Sequence, residues 1–429
     1  MEDRNLSLLA VGCSLLGIVL LYFASQGIKP EKVELSDIDE DYLGEFVEVS
    51  GVVFKVRDSK GHLFVWIYDR GYIEIPLFSS MRGDLQVEIG DFVDVLGVVD
   101  RYKDELQIRV SKVEDVRIYK PIYGWCENRE FKIKEGIEFS IEEDLNGFCG
   151  LIGESKDGSF EILKVLDLEF TRNASSKNLG KFYHFSSRIT YVRNFGEFQV
   201  VKLFSEDVNF LFYENLRIAH KVSGFGILCE KDGYFDVFPL YYELSEIPKE
   251  KIAFALRHEE GFPVKTSGFI VYLKQYADST YAKVRDNSGS VYVYLPKDNS
   301  LREGYSIQFS GILREKRIYV KDEKNVEIES KSYTIIPIEE ITEDYLGDKV
   351  AIKGEIVEMS ISKDGHLFLI LRDETGSITV PIFSNMAKDF KEKGLDVYSL
   401  KIGMKIVVFG AVELYQGAFE VIAEVVTLG

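Results

Sequence analysis

The residues able to do chemistry in this chain are rings and cations. Phe64, Trp66 and Tyr68 fall at every second position, as do Phe368, Ile370 and Arg372. In an extended strand that spacing puts each set on one face. An exposed ring on such a face can stack a nucleobase, worth ~1–3 kcal/mol per base. The stretch 262–330 is rich in tyrosine (Tyr272, Tyr276, Tyr281, Tyr292, Tyr294, Tyr305, Tyr319) and carries the run Arg314-Glu315-Lys316-Arg317. Cations interleaved with aromatics are what a groove for a single nucleic-acid strand needs. The competing account is structural: rings covering a contact between barrels or belonging to the core, and a charged hairpin facing solvent.

Nothing comparable points to catalysis. No HExxH, P-loop or GxSxG arrangement occurs, and Asp-x-Asp is found only within the acidic run at 37–41, outside any catalytic motif context. Gly-His appears twice, at Gly61-His62 and Gly365-His366. One histidine without neighbouring His, Cys or carboxylate partners reads as a turn residue packed on a strand. The acidic run Asp37-Ile38-Asp39-Glu40-Asp41 lacks the glycine that a calcium loop requires. Cys126, Cys149 and Cys229 are scattered, and Cys13 lies in an apolar run, so neither a metal site nor a disulfide framework follows. The expectation is a protein with no cofactor, no metal and no enzymatic activity of its own.

The elements that must hold these residues repeat. IDEDYLGEFVEVSG (38–51) returns as ITEDYLGDKVAIKG (341–354), GHLFVWIYDRGYIEIPLFSSM (61–81) as GHLFLILRDETGSITVPIFSNM (365–386), and IGDFVDVLGVV (89–99) as IGMKIVVFGAV (402–412). A divergent copy begins at VKTSGFIVYL (264–273), continues through YAKVRDNSGSVYVYL (281–295) and closes with EGYSIQFSGIL (303–313). Each copy reads as three short alternating strands, a polar connector and two more strands, with glycine on the first and fourth. That is the pattern of a small Greek-key barrel of the OB type. The order can also be laid over 180–261, with Gly224 in the fourth-strand position, whereas 121–179 yields strands and turns without a placement.

Charge divides unevenly among the copies. The chain carries 71 acidic and 52 basic side chains, net −19, which argues against indiscriminate coating of a polyanion. Residues 31–120 hold 20 acidic against 12 basic side chains and 333–429 hold 16 against 9, but 262–330 hold 9 against 11. The slightly basic copy is the place to look for nucleic acid.

Residues 6–24 carry no charge. As a helix they would reach ~28 Å, close to a bilayer's hydrocarbon thickness. The run is long and lacks a clean A-x-A site, which favours an uncleaved anchor over a signal peptide. It stays apolar beyond Cys13, against a lipid-modified cysteine. Arg4 on one side and Lys29 and Lys32 on the other leave orientation undetermined.

The string Phe368-x-x-Leu371-Arg372-Asp373-x-x-Gly376-x-Ile378 resembles the second and third strands of the OB-fold nucleic-acid-binding domain of the anticodon-binding kind, which reads F-x-x-L-R-D-x-x-G-x-x-Q. Tyr281-x-x-Val284-Arg285-Asp286-x-x-Gly289 keeps the pattern, and Phe64-x-x-Ile67-Tyr68-Asp69 keeps part of it. The resemblance implies that Phe368, Phe64 and Tyr281 stack bases, with Arg285 and Arg372 beside them. The family's base-reading glutamine is Thr379, Glu74 and Tyr292 here, so sequence-specific reading is not implied. One membrane helix followed by such repeats also resembles uncharacterised archaeal membrane-anchored OB-fold proteins.

The expected fold is all-β, a tandem array of Greek-key OB-type barrels preceded by one transmembrane α-helix. The expected division is an anchor (1–30), a barrel (31–120), an irregular β segment (121–179), a degenerate barrel (180–261) and two further barrels (262–332 and 333–429). The expected function is single-pass, membrane-anchored binding of single-stranded DNA or RNA with little sequence specificity. Its candidate contacts are Phe64, Tyr281, Arg285, Tyr292, Arg314, Lys316, Arg317, Phe368 and Arg372, with the lipid bilayer met by residues 6–24. The rivals are a scaffold docking a protein partner at the membrane and a surface binder of small ligands or cations.

Overall fold

The computed structural model describes residues 14–18 and 30–428, apart from 135, 157, 158 and 232. The expected leading transmembrane helix, and with it single-pass membrane localisation, is corrected. A span of ~30 Å needs about 20 helical residues. Within 6–24 only 14–18 are described, as helix, and among the described residues no helix is long and apolar enough to cross a membrane. The remainder of 6–24 lies outside the described residues.

Five sheets succeed one another, over 31–119, 122–165, 170–246, 249–330 and 349–428. In the first, Phe46–Ser59, His62–Tyr68 and Tyr72–Leu77 form an antiparallel meander. Glu105–Arg109 lies parallel to Tyr72–Leu77, with Glu74 opposite Gln107. Phe92–Tyr102 then pairs with Glu105–Arg109 on one side and Phe46–Ser59 on the other, which closes the barrel. The order 1-2-3-5-4-1 is that of an OB barrel, and all five sheets share it. Residues 122–165, for which the sequence offers no placement, close into a barrel of five strands in this order.

Side-chain alternation makes the cores. Leu63, Val65 and Ile67 point inward in the first barrel and Leu367, Leu369 and Leu371 in the last, leaving the intervening rings half-buried on the outer face. Fourth-strand glycines let the fifth strand cross closely. A Cβ on Gly97, Gly153, Gly224, Gly311 or Gly410 would stand 1.9–2.9 Å from a carbonyl oxygen of the strand beside it. A short strap ahead of most barrels pairs parallel with the first strand: Glu31–Lys32 with Val47 and Glu48, Phe170–Thr171 with Phe182 and Tyr183, Lys249–Glu250 with Lys265 and Thr266. Before the last barrel the strap is reduced to one bridge, Ile335 to Ala351.

Two compact units are present: Met1–Ser186 with Glu206–Tyr213 and Ser223–Glu243, and Ser187–Ser205 with Glu214–Val222 and Leu244–Gly429. In the first unit, Val52, Phe54 and Tyr68 join Tyr123, Phe148, Phe182 and Tyr241 in one apolar cluster. In the second, Phe269 and Val271 of the 249–330 sheet pack with the core of the 349–428 barrel. The connector after the third strand is helical at Ser79–Arg82 and Ser384–Glu392. The duplicated histidines serve these helices: Nδ1 of His62 accepts the Ser79 backbone N–H at 3.0 Å and Nδ1 of His366 that of Ser384 at 3.1 Å.

Candidate nucleic-acid interface

The outer face of the 249–330 barrel is built by four neighbouring strands: Pro263–Gln275, Ser279–Asp286, Gly289–Pro296 and Arg317–Tyr319. Their register aligns two cross-strand rows. Tyr272 stands opposite Lys283, then Tyr292, then Arg317. Beside it Lys274 stands opposite Tyr281, then Tyr294, then Tyr319. These eight positions hold five tyrosines and three cations, and no carboxylate.

The rings touch. Tyr281 and Tyr292 are stacked with centroids 5.2 Å apart and planes 3° from parallel, and Tyr294 stacks on Tyr319 at 4.7 Å. Tyr281 meets Tyr294 at 4.8 Å, tilted. Burial, then the neighbouring Tyr294, push the Tyr281 hydroxyl up, so it stays protonated as a donor. Arg317 Nη1 donates to the Tyr294 hydroxyl at 3.4 Å. Tyr292 and Tyr272 remain 40% and 38% exposed, which leaves ring surface open for stacking.

The predicted contacts divide clearly. Tyr281, Tyr292 and Arg317 lie together on this face. Arg314 is exposed opposite Arg317 where the hairpin turns, and Glu315 and Lys316 take left-handed backbone conformations there. Lys316 Nζ donates to the Leu256 carbonyl at 2.7 Å, so part of its donor capacity is engaged. Arg285 is not on the open face. It is 5% exposed, donates twice to Asp348 Oδ2 at 2.8 and 2.9 Å and also to the Asp344 carbonyl, and lies over the Tyr345 ring. Lys274 and Lys283 did not stand out in the sequence, although period-two alternation with the tyrosines could have found them. Lys283 pairs with Asp348 Oδ1 at 2.5 Å, so its charge is already answered.

Phe64 and Phe368 occupy the matching faces of other barrels. Phe64 lies under the Arg57 guanidinium at 4.8 Å, and Lys55 sits 4.7 Å over Trp66. Trp66 faces Glu74, whose carboxyl burial pushes up despite Arg57. Tyr68 is closed off, its hydroxyl donating to Glu169. Phe368 stands between Ser360 and Pro381, and Ile370 between Glu358 and Thr379, which adjoins Glu420. That face is acidic, and burial with Glu413 nearby pushes the Glu420 carboxyl up. Arg372 is exposed and lines an open cleft of about 670 Å³ in which Lys353 and Lys405 are offset by Glu355, Asp373 and Glu374.

The aspartate of the L-R-D string is structural. Asp373 Oδ1 accepts from the backbone and hydroxyl of Thr375 and from the Gly376 N–H, while Oδ2 accepts the Ile338 N–H. Asp286 repeats the arrangement with Ser288, Gly289 and Ile252. Each carboxylate ties the segment ahead of its barrel to the turn between strands two and three. Among the described residues no group of three or more His, Cys, Asp or Glu could hold a metal ion.

Comparison with known proteins bears on the fold. The Exodeoxyribonuclease 7 large subunit of Helicobacter hepaticus is 28% identical over 81 residues, 18% of this chain, and the chain covers only 18% of that subunit's length. The asparaginyl-tRNA synthetase from Pyrococcus horikoshii matches 22% of this chain and 22% of its own at 21% identity and a TM-score of 0.20. A murine DNA-binding protein bound with double-stranded DNA matches 38% of this chain and 99% of its own at 12% identity and a TM-score of 0.22. These matches do not support the resemblance to archaeal membrane-anchored proteins. Models of the OB-fold nucleic acid binding domain match residues 47–116 and 336–426. Two OB-fold nucleic-acid-binding domains of the anticodon-binding type are thus present in this chain.

Proposed function

We propose that this protein binds single-stranded DNA or RNA with little sequence preference, that the strand lies across the outer face of the 249–330 barrel, and that the chain carries out no catalytic step itself. The observation carrying this reading is the pair of cross-strand rows whose eight positions hold five tyrosines and three cations, one of them, Lys283, paired with Asp348. Every base has a π-face, so rings on this face accept any base, while Arg317 and the exposed Arg314 answer phosphates. The outer barrels supply a poorer surface. Their faces put Glu74, or Glu358 and Glu420, where phosphates would pass.

The test is fluorescence anisotropy of the full chain with labelled single-stranded oligonucleotides at several salt concentrations. Binding is expected to weaken as salt rises, with a slope of about −0.7 per phosphate contacted. Tyr281→Ala with Tyr292→Ala should weaken it about 5–150-fold, the equivalent of 1–3 kcal/mol. Phe368→Ala should leave it unchanged. No binding at low salt, or an unaltered affinity in the tyrosine variant, would overturn the proposal and favour a protein-docking scaffold.

A further inference from the structure

We infer that the cleft lined by Tyr191, Asn194, Asn215, Arg217, Lys321 and Lys324 is a phosphate-binding subsite that extends the nucleic-acid path beyond the tyrosine face. It encloses about 350 Å³ within the second unit, a volume in the range of small-ligand sites. Its lining presents donors beside one buried acceptor, Asn325 Oδ1, that has no partner among the described residues. The buried carboxamide of Gln199 sets their direction. A backbone N–H can only donate, so the Gln199 atom facing the Leu216 N–H at 2.8 Å is oxygen. Gln199 Nε2 therefore donates to Asn194 Oδ1 at 2.5 Å and faces Asn215 Oδ1 at 3.4 Å. With both oxygens engaged, the two asparagines have their NH₂ groups left to offer a ligand.

Three cations stand around these amides. Arg217, Lys321 and Lys324 are exposed, line the same cleft, and none makes an ion pair among the described residues. Lys321 Nζ sits 5.6 Å over the Tyr191 ring, which leaves its N–H groups available. The one carboxylate in the lining, Asp322, accepts the Lys324 backbone N–H and so caps its own turn. Two amide donors, three cations and a ring call for an acceptor-rich anion attached to a planar group, and a nucleotide answers that description. Lys321 follows Tyr319, the end of one tyrosine row, by two residues, a separation of about 7 Å at most. A strand leaving that row therefore reaches this cleft within one or two nucleotides.

The inference rests on the single-strand reading above, and oligonucleotide length separates the two. The full chain would be titrated with a tetranucleotide, short enough for the tyrosine face, and with a 12-mer, over a range of salt. Replacing Arg217, Lys321 and Lys324 together by Ala should flatten the 12-mer's log–log salt slope by about 2, at roughly 0.7 for each lost phosphate contact, and leave the tetranucleotide unchanged. The near-isosteric pair Asn194→Asp and Asn215→Asp keeps the oxygens that face Gln199 and replaces the free NH₂ groups with charge. It should weaken the 12-mer at least tenfold, again sparing the tetranucleotide. A 12-mer whose slope and affinity are the same in both variants as in the wild type overturns the subsite, while tetranucleotide binding lost in the Tyr281/Tyr292 variant still upholds the platform. Failure of the wild type to bind either oligonucleotide overturns both.

Discussion

Two arginines in matching positions of the same string have opposite fates. Arg372 is exposed and rests against Ser377, with Nε donating to its hydroxyl at 3.2 Å. Arg285 is buried against Asp348. The difference lies outside the string, in the acidic segment 344–348 that covers one arginine and not the other. Removing Arg285 leaves the buried Asp348 with Lys283 as its remaining ion-pair partner, so the cost is a part of the about 3–5 kcal/mol of a fully broken buried pair. Arg285→Ala should therefore lower the urea midpoint markedly and leave oligonucleotide affinity at the tyrosine face unchanged. An affinity loss without a stability loss would return Arg285 to the binding surface. Period-two spacing thus shows which face a residue occupies, but what lies over that face is decided by contacts remote in sequence.

Elements were legible where physics is local. The three strongest repeats appear as barrels because alternation, turns and glycine placement all act within a few residues. The barrel at 122–165 was illegible because two of its strands are short: Glu130–Ile133 has four residues and Glu138–Ser140 three, too few for a period to declare itself. The straps were missed for the same reason, since each is two residues long or less. The fourth-strand glycines were visible, and the structure supplies their cause. At Gly410 a Cβ would stand 1.9 Å from the Ile422 carbonyl oxygen and 2.7 Å from its carbon, where backbone cannot yield as a flexible side chain would. Gly410→Ala should destabilise the last barrel by roughly 1–3 kcal/mol, the usual cost of overpacking, read as an earlier urea transition. An unchanged transition would mean that strand five is free to move away.

At the scale of the molecule, charge acts in two directions as pH falls. Protonating carboxylates toward the sequence pI of about 4.9 relieves self-repulsion, which favours the compact chain. Two histidines oppose this. Burial, then Arg172, hold the His184 imidazole below its usual range, and burial, then Arg217, do the same for His220, whose Nδ1 accepts the Arg217 N–H. A depressed value means that the fold prefers the neutral ring, so this stabilisation is complete above about pH 6.5 and is lost as pH drops through the lower folded value. The difference in urea midpoint between wild type and the His184→Asn, His220→Asn variant should shift toward the variant between pH 7.5 and 5.5. A difference constant with pH would rule this out.

The succession of the five sheets has a consequence for how the chain is made. Each sheet draws its strands from one continuous stretch, the longest being 31–119. A ribosome adding ~5–20 residues per second takes several seconds over such a stretch, whereas small β-barrels fold in milliseconds to seconds. One barrel can thus be complete before the next emerges. Copies as alike as 38–99 and 341–412 then need not be unfolded together, so the strand exchange that similar neighbours invite is largely avoided during synthesis.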